Sequence, residues 1–320
     1  MRTIDFHRSL KRCFMVLCGA VLLPLGAGQV YASEETPQET VSQETPVVKK
    51  GLLKEGRYYC YYKKGKKIRN RWVNIGSNRY FFNAKGHAVT NSMKRGRYVY
   101  VFNLEGKLMR PKKPSVVKVG QNLYYVDRKG HATVGWFVLN NRLYRGDPKG
   151  RLCKNRVYDG ITFGKKGYAV NDTNSQLKMQ TMKILSRITN DSMTSYQKLN
   201  ACWNYVVNGG FGYMTWRNYG WYSDWYVDYA YELMIRRRGN CYDFAAGFAY
   251  LCKAAGCNVT IVRGRVPGSW DGAADGYTRH CWVIVDGAYY DPEAAFAGWM
   301  YAYGTGSYNI AYQVQGYDNL

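Results

Sequence analysis

The chain has 320 residues and a mass of 36.8 kDa, room for about two domains. Lys and Arg number 46 against 22 Asp and Glu, a net charge of +24, and 31 tyrosines help raise the aromatic share to 16%. This balance excludes an acidic disordered chain; one N-terminal apolar stretch excludes a multi-span membrane protein, and nine cysteines are too few for a disulfide-stapled mini-protein.

Arg2, Arg8, Lys11 and Arg12 precede an apolar run from Cys13 to about Ala27, and Val30-Tyr31-Ala32 follows. That order is the one of a secretory signal peptide, residues 1–32, cut after Ala32. A retained anchor is the competing reading, but Gly19, Pro24 and Gly26 break the run and argue against permanent membrane insertion. Residues 33–49 are rich in Glu, Thr, Pro and Gln and have almost nothing to bury, so a disordered spacer is expected. Loss of the signal peptide leaves seven cysteines, an odd number, and hence at least one thiol without an internal partner.

The charge is uneven. Residues 49–166 carry 30 basic and 5 acidic side chains, whereas residues 167–320 carry 12 of each. Such asymmetry points to two parts with two jobs. The basic part also repeats: Arg57–Gly65, Asn78–Gly86, Arg97–Gly106 and Asn122–Gly130 share an aromatic strand and a polar turn ending on Gly, with weaker copies ending at Gly150 and Gly167. Successive glycines are 21, 20, 24, 20 and 17 residues apart. Each unit reads as an aromatic strand, a turn closed by a positive-φ Gly, and a short second strand such as Lys107-Leu108-Met109. A lone hairpin is marginal in water, so stacked hairpins must bury their aromatics on one another. Residues 50–170 are therefore expected to form a β-hairpin solenoid.

These units resemble the cell-wall-binding repeats of Gram-positive surface proteins, the choline-binding and glucan-binding type. The resemblance implies a wall polymer as partner, and Trp72, Tyr80, Tyr124 and Trp136 as candidate ligand-binding aromatics. Only Gly135-Trp136 matches the usual Gly-Trp opening of such repeats, with Trp72 in a similar place, so most choline-type cages would be incomplete. The excess positive charge favours an anionic polymer of the teichoic type, or a glycan. In the competing reading the tyrosines are core and the charge only solubilises the rod. No nucleic-acid-binding motif is visible, and nucleic acid is not expected as a partner.

Residues 171–320 read as an α+β domain. Apolar spacing predicts helices over 175–188 and 195–207, the second started by Asn190 or Asp191 and stopped at Gly209-Gly210. The aromatic stretch 211–231 has no assignable period; Trp221 and Trp225 within it are candidate core residues or substrate-cleft walls. Then Gly239-Asn240 makes a turn into an Ala-rich helix that opens on Cys241. The positive end of a helix there is expected to lower the thiol pKa. Strands over 258–266 and 279–285 follow, then a turn at Asp286-Gly287 and Asp291-Pro292. Of the four histidines only His280 lies in this part, so a Cys241 nucleophile has one available imidazole base. Asp291, on the next strand, can orient it; a turn residue before Pro292 is its alternative reading. Cys281 is a buried hydrophobe or a redox partner, and Asp243 supports the helix start.

The segments Gly239-Asn240-Cys241, Ala254-Ala255-Gly256, His280-Cys281-Trp282 and Tyr290-Asp291-Pro292 resemble the transglutaminase-like core, a papain-like superfamily. The resemblance covers about 140 residues and implies Cys241 as nucleophile, His280 as general base and then acid, and Asp291 as the orienting carboxylate. It implies a protein or peptide amide as substrate, and no metal or organic cofactor. The oxyanion is expected to meet the N–H of Cys241 and a second donor from Trp216–Trp225. The chain is thus expected to be an exported, wall-associated thiol acyltransferase or hydrolase. A non-catalytic surface-binding protein with an inactive transglutaminase-like domain is the alternative.

Overall fold

A computed structural model describes residues 48–215 and 222–320. The expected signal peptide, nearly all of the spacer, and Trp221 lie outside the described residues.

Six antiparallel hairpins come first. They are β1 (Gly51–Glu55) with β2 (Tyr58–Lys63), extended by the short β3 (Lys66–Lys67); β4 (Arg71–Ile75) with β5 (Asn78–Phe82); β6 (Asn91–Arg95) with β7 (Tyr98–Phe102); β8 (Ser115–Val119) with β9 (Asn122–Val126); β10 (Gly135–Leu139) with β11 (Arg142–Gly146); and β12 (Arg156–Tyr158) with β13 (Ile161–Phe163). The unit differs from the expected one. The aromatic strand is the second of its hairpin, and the first strand, such as Asn91–Arg95, was not anticipated because it is polar and half-exposed. The glycine-closed turn comes after the hairpin. There Asn83, Asn103, Asp127 and Asp147 each accept two backbone N–H groups, from the second and fourth residues onward.

The segment after each such turn stitches two hairpins together. Leu108 N–H donates to Arg79 of the previous hairpin, and Met109 N–H to Val101 of its own. Ala132 and Thr133 repeat this with Val99 and Tyr125, and Leu152 and Cys153 with Leu123 and Arg145. The close approach explains two glycines. A Cβ on Gly106 would lie 2.6 Å from that of Ala88, and one on Gly150 would lie 2.4 Å from that of Ala132. Phe82, Phe102, Tyr124 and Phe163 fill the interior of the stack, each burial contributing about 1.5–3 kcal/mol.

The stack runs into helix α1 (Thr173–Ile188), whose Met179 and Met182 pack on the cluster of Leu143, Ile161 and Phe163. Helix α2 (Ser195–Asn208) begins where expected, but its cap is Thr194 rather than Asn190 or Asp191. Thr194 and Gln197 form a reciprocal capping box, while Asn190 accepts from Ser192 in the turn before it. Within the unassigned aromatic stretch lie strand β14 (Gly212–Tyr213) and helix α3 (Trp225–Tyr231), which runs into a π-helical turn, Glu232–Arg236. Strand β15 (Arg238–Gly239) pairs with β14, and helix α4 (Cys241–Ala255) follows.

Strand β16 (Val259–Pro267) pairs with β17 (Tyr277–Val285), and β17 with β18 (Ala288–Tyr290). Helix α5 (Pro292–Phe296) leads to β19 (Tyr303–Thr305), and the chain returns as β20 (Gln313–Asn319). The sheet order is β19-β18-β17-β16-β20. Helix α4 is the buried centre: Phe244, Phe248, Leu251 and Cys252 pack with Leu199, Trp203 and Leu233 on one side and with Ile261, Cys281 and Val283 of the sheet on the other. No helix among the described residues is long and apolar enough to cross a membrane.

Candidate active site

Three elements converge at the tip of α4. Asn240 caps the helix: its side chain accepts from the N–H of Tyr242 and is part of a reciprocal box with Asp243, whose carboxylate accepts the Asn240 N–H at 2.8 Å. The local sequence demands this geometry, because a Cβ on Gly239 would fall 2.2 Å from the Cβ of Asp243. Asp243 thus supports the helix start, as expected. Cys241 is the first helical residue, and the capping box does not use its N–H. The parallel β14–β15 pair, tied by Met214 N–H to the Gly239 carbonyl, brings Tyr213 beside it.

His280 lies on β17 directly opposite Gly264 of β16. The missing side chain matters: a Cβ there would lie 2.4 Å from the Trp282 ring. Trp282 stacks on Tyr308 at 4.7 Å and lies near-parallel to His280 at 6.3 Å. Asp291 follows β18 and caps α5, its Oδ1 accepting the Ala294 N–H at 3.0 Å. Its Oδ2 faces His280 Nε2 at 2.7 Å and also accepts from the Tyr308 hydroxyl. Asp291 is fully buried and His280 is 6% exposed. The turn-residue reading of Asp291 describes its backbone, while the carboxylate serves both the cap and the imidazole.

The electrostatics follow from burial and pairing. Burial opposes a charged imidazole, but the Asp291 carboxylate, by charge and hydrogen bond, and Cys241 outweigh it. The His280 pKa is raised well above the usual 6.5. Burial pushes Asp291 up, but the His280 charge and hydrogen bond, Tyr308 and the Ala294 N–H hold it below 3.8. For Cys241 the sequence expectation fails in direction. Burial raises the thiol above its usual 9.0, and hydrogen bonding and charge from His280 only partly offset this. A helix terminus is worth at most about 2 kcal/mol, less than the cost of burying a thiolate at a site only 9% exposed.

Two neighbours were not legible in the sequence. Glu293, 13% exposed at its side chain, places Oε2 3.9 Å from His280 Nδ1. Tyr213 feels the charges of both Glu293 and Cys241, although burial is the larger cause of its raised pKa. The ligand atoms of His280, Asp291 and Glu293 lie within 4.8 Å of one another, a spacing a metal ion can use. Both Asp291 oxygens are already committed to Ala294, His280 and Tyr308. Coordination there would break those bonds.

The other sequence candidates fare differently. Tyr80 is 2% exposed, Tyr124 0% and Trp225 2%; all three are core residues, which removes them as exposed ligand contacts. Aromaticity alone does not distinguish the two faces of a strand or helix. Trp72 and Trp136 are half-buried, and each ring already holds at least one cation of this chain. Arg79 lies 4.4 Å from the Trp72 centroid, and Arg145 and Lys178 lie 5.9 and 5.0 Å from that of Trp136. Cys281 is fully buried in the core facing α4, and all seven cysteines from Cys60 to Cys281 are free and buried.

Comparison with known proteins bears on both parts. The family model of the transglutaminase-like superfamily matches residues 183–301. No curated protein matches the chain. Among solved structures, CbpJ from Streptococcus pneumoniae TIGR4 aligns over 38% of this chain and 41% of its own, at 22% identity and a TM-score of 0.28. Choline binding protein F from the same species aligns over 38% and 48%, at 20% identity and 0.22. The Cpl-1 endolysin, complexed with a peptidoglycan analogue, aligns over 38% and 37%, at 20% identity and 0.29. These matches fall on the hairpin repeats, and the chain spans less than half the length of each protein. Likeness of that degree carries no argument about ligand or activity.

Proposed function

Residues 183–301 form a transglutaminase-like domain, and from that premise we propose that the protein is an exported, wall-associated thiol enzyme acting on amide bonds. The observation that carries this reading is the 2.7 Å contact of His280 with Asp291 beside Cys241 at the tip of α4. Once the resting pair has given up one proton, the Cys241 thiolate attacks the amide carbonyl and the His280 imidazolium protonates the leaving amine, giving the thioester and a neutral imidazole. Asp291 holds the imidazole in one orientation and stabilises its charge. The N–H of Cys241 receives the developing oxyanion. An amine or water then takes the acyl group. Both groups are raised, so the resting pair is a thiol and an imidazolium, and one proton must pass to solvent before the thiolate–imidazolium pair can attack.

The repeats are proposed to hold the enzyme on a wall polymer. Because the chain's own Arg and Lys cover Trp72 and Trp136, an anionic polymer suits this surface better than a quaternary ammonium. Retention on purified walls should then fall with salt and with removal of teichoic polymer; retention indifferent to both removes the electrostatic reading.

A non-catalytic binding protein is favoured by one observation, the burial that keeps the Cys241 thiol protonated. Iodoacetamide labelling read by mass spectrometry separates the two. Selective modification of Cys241, lost in His280→Ala, is expected of the enzyme. Slow, equal labelling of all seven cysteines is expected of the binding protein.

A further inference from the structure

Asp291 and Glu293 approach the His280 ring from different nitrogens. Asp291 takes Nε2, and Glu293 Oε2 lies 3.9 Å from Nδ1. Because Asp291 occupies Nε2, the hydrogen bond between Cys241 and His280 is left to Nδ1, so sulfur and Glu293 share one side of the imidazole. The charge of Glu293 is felt by the thiol and by the phenol of Tyr213. The Asp291 carboxylate is held by Ala294, Tyr308 and His280. That of Glu293 has, among the described residues, only the long contact to His280.

The net charge of this pocket follows. His280 and Asp291 cancel as an ion pair. Arg279, the nearest arginine in sequence, is 57% exposed and pairs with Asp271. The thiol and the phenol are neutral at rest, so among the described residues Glu293 leaves a net negative charge beside the sulfur.

We infer that Glu293 is a specificity-determining residue that receives the ammonium group of a cationic amine acceptor at the thioester and turns away acidic acceptors. The inference rests on the acyl-transfer reading of Cys241. The ammonium gives one proton to the Glu293 carboxylate and becomes a neutral amine. Its nitrogen forms a bond to the thioester carbon, and the C–S bond breaks. Sulfur leaves with the electron pair as thiolate, and the second proton passes from nitrogen to the neutral His280. The products are an amide, the thiolate–imidazolium pair and a protonated Glu293. Burial holds the Glu293 pKa above the usual 4.5, which makes it a better proton acceptor than an exposed carboxylate.

A pair of thiol reagents of like size and opposite charge tests this without knowledge of the natural donor. The full chain is treated with 2-(trimethylammonio)ethyl and 2-sulfonatoethyl methanethiosulfonate, and with neutral iodoacetamide. Modification of Cys241 is timed by peptide mass spectrometry. Wild type is expected to react faster with the cation than with the anion. Glu293→Gln and Glu293→Ala are expected to lower that ratio by about tenfold or more, because loss of one charge slows the cation and speeds the anion together. A variant that only loosens the fold or dulls the thiol moves all three rates together and leaves the ratio intact, which would overturn the inference. So would a wild-type preference for the anion. Failure of iodoacetamide to select Cys241 in the wild type would instead overturn the nucleophile reading, and this inference with it.

Discussion

Asp291→Asn removes one oxygen from a carboxylate that is 0% exposed and serves three donors. The remaining amide oxygen can still accept the Ala294 N–H. The new NH2 then faces the His280 ring N–H, donor against donor, and the Tyr308 hydroxyl loses its charged acceptor. Breaking a buried ion pair from one side costs about 3–5 kcal/mol, and two lost hydrogen bonds to a charged acceptor are of the same order. The pH dependence is fixed by the two shifts. Asp291 is held below 3.8, so its contribution is complete above about that pH and is lost as pH falls through its folded pKa. His280 is raised well above 6.5, so its contribution is complete below about that pH and is lost as pH rises through its folded pKa. The pair stabilises most between roughly pH 4 and 6.5. Urea unfolding followed by tryptophan fluorescence should give a gap between wild type and Asp291→Asn of about 3–5 kcal/mol near pH 5.5, shrinking in alkali. A gap under about 1 kcal/mol near pH 5.5, or one that grows steadily with pH, would refute the buried pair.

Three other outcomes are expected. Because Cys241 and His280 are both raised, the pair should shed its first proton above about pH 6.5. Iodoacetamide labelling of Cys241 should climb along a limb in that range and shift to higher pH in His280→Ala, whereas maximal labelling in mild acid would contradict the assigned charge state. Gly239→Ala drives a Cβ to 2.2 Å from Asp243, so the capping box must open, at a cost of about 1–3 kcal/mol; wild-type urea stability with unchanged Cys241 labelling would show that the tip of α4 tolerates the intrusion. Tyr308→Phe removes a hydroxyl that donates to Asp291, a loss of about 1.5–3 kcal/mol, and should raise the Asp291 pKa. Its acid unfolding should begin at higher pH than that of wild type, and coincident acid curves would mean the hydroxyl does not matter.

Local features of the chain were readable because their causes are local. Asn240-Cys241-Tyr242-Asp243 holds its own capping box, so the sequence alone placed Cys241 at a helix start. Asp286-Gly287 adopts positive φ at both positions, so the hairpin that carries His280 toward Asp291 was likewise written in a dipeptide. Glycine recurrence marked the repeats, since the backbone turns there to within van der Waals reach of the preceding unit. What needed the folded chain was everything set by distant neighbours. Strand β20 joins β16 across about fifty residues, and Tyr308, 17 residues beyond Asp291, becomes its hydrogen-bond donor. Tyr213 reaches Cys241 only through the β14–β15 pair. Glu293 had no spacing signal, because its place beside His280 depends on how α5 packs after β18. The sign of the Cys241 shift was also a tertiary matter. A helix dipole is visible in a sequence, but the burial that outweighs it comes from segments far along the chain, and desolvation depends on all of them together.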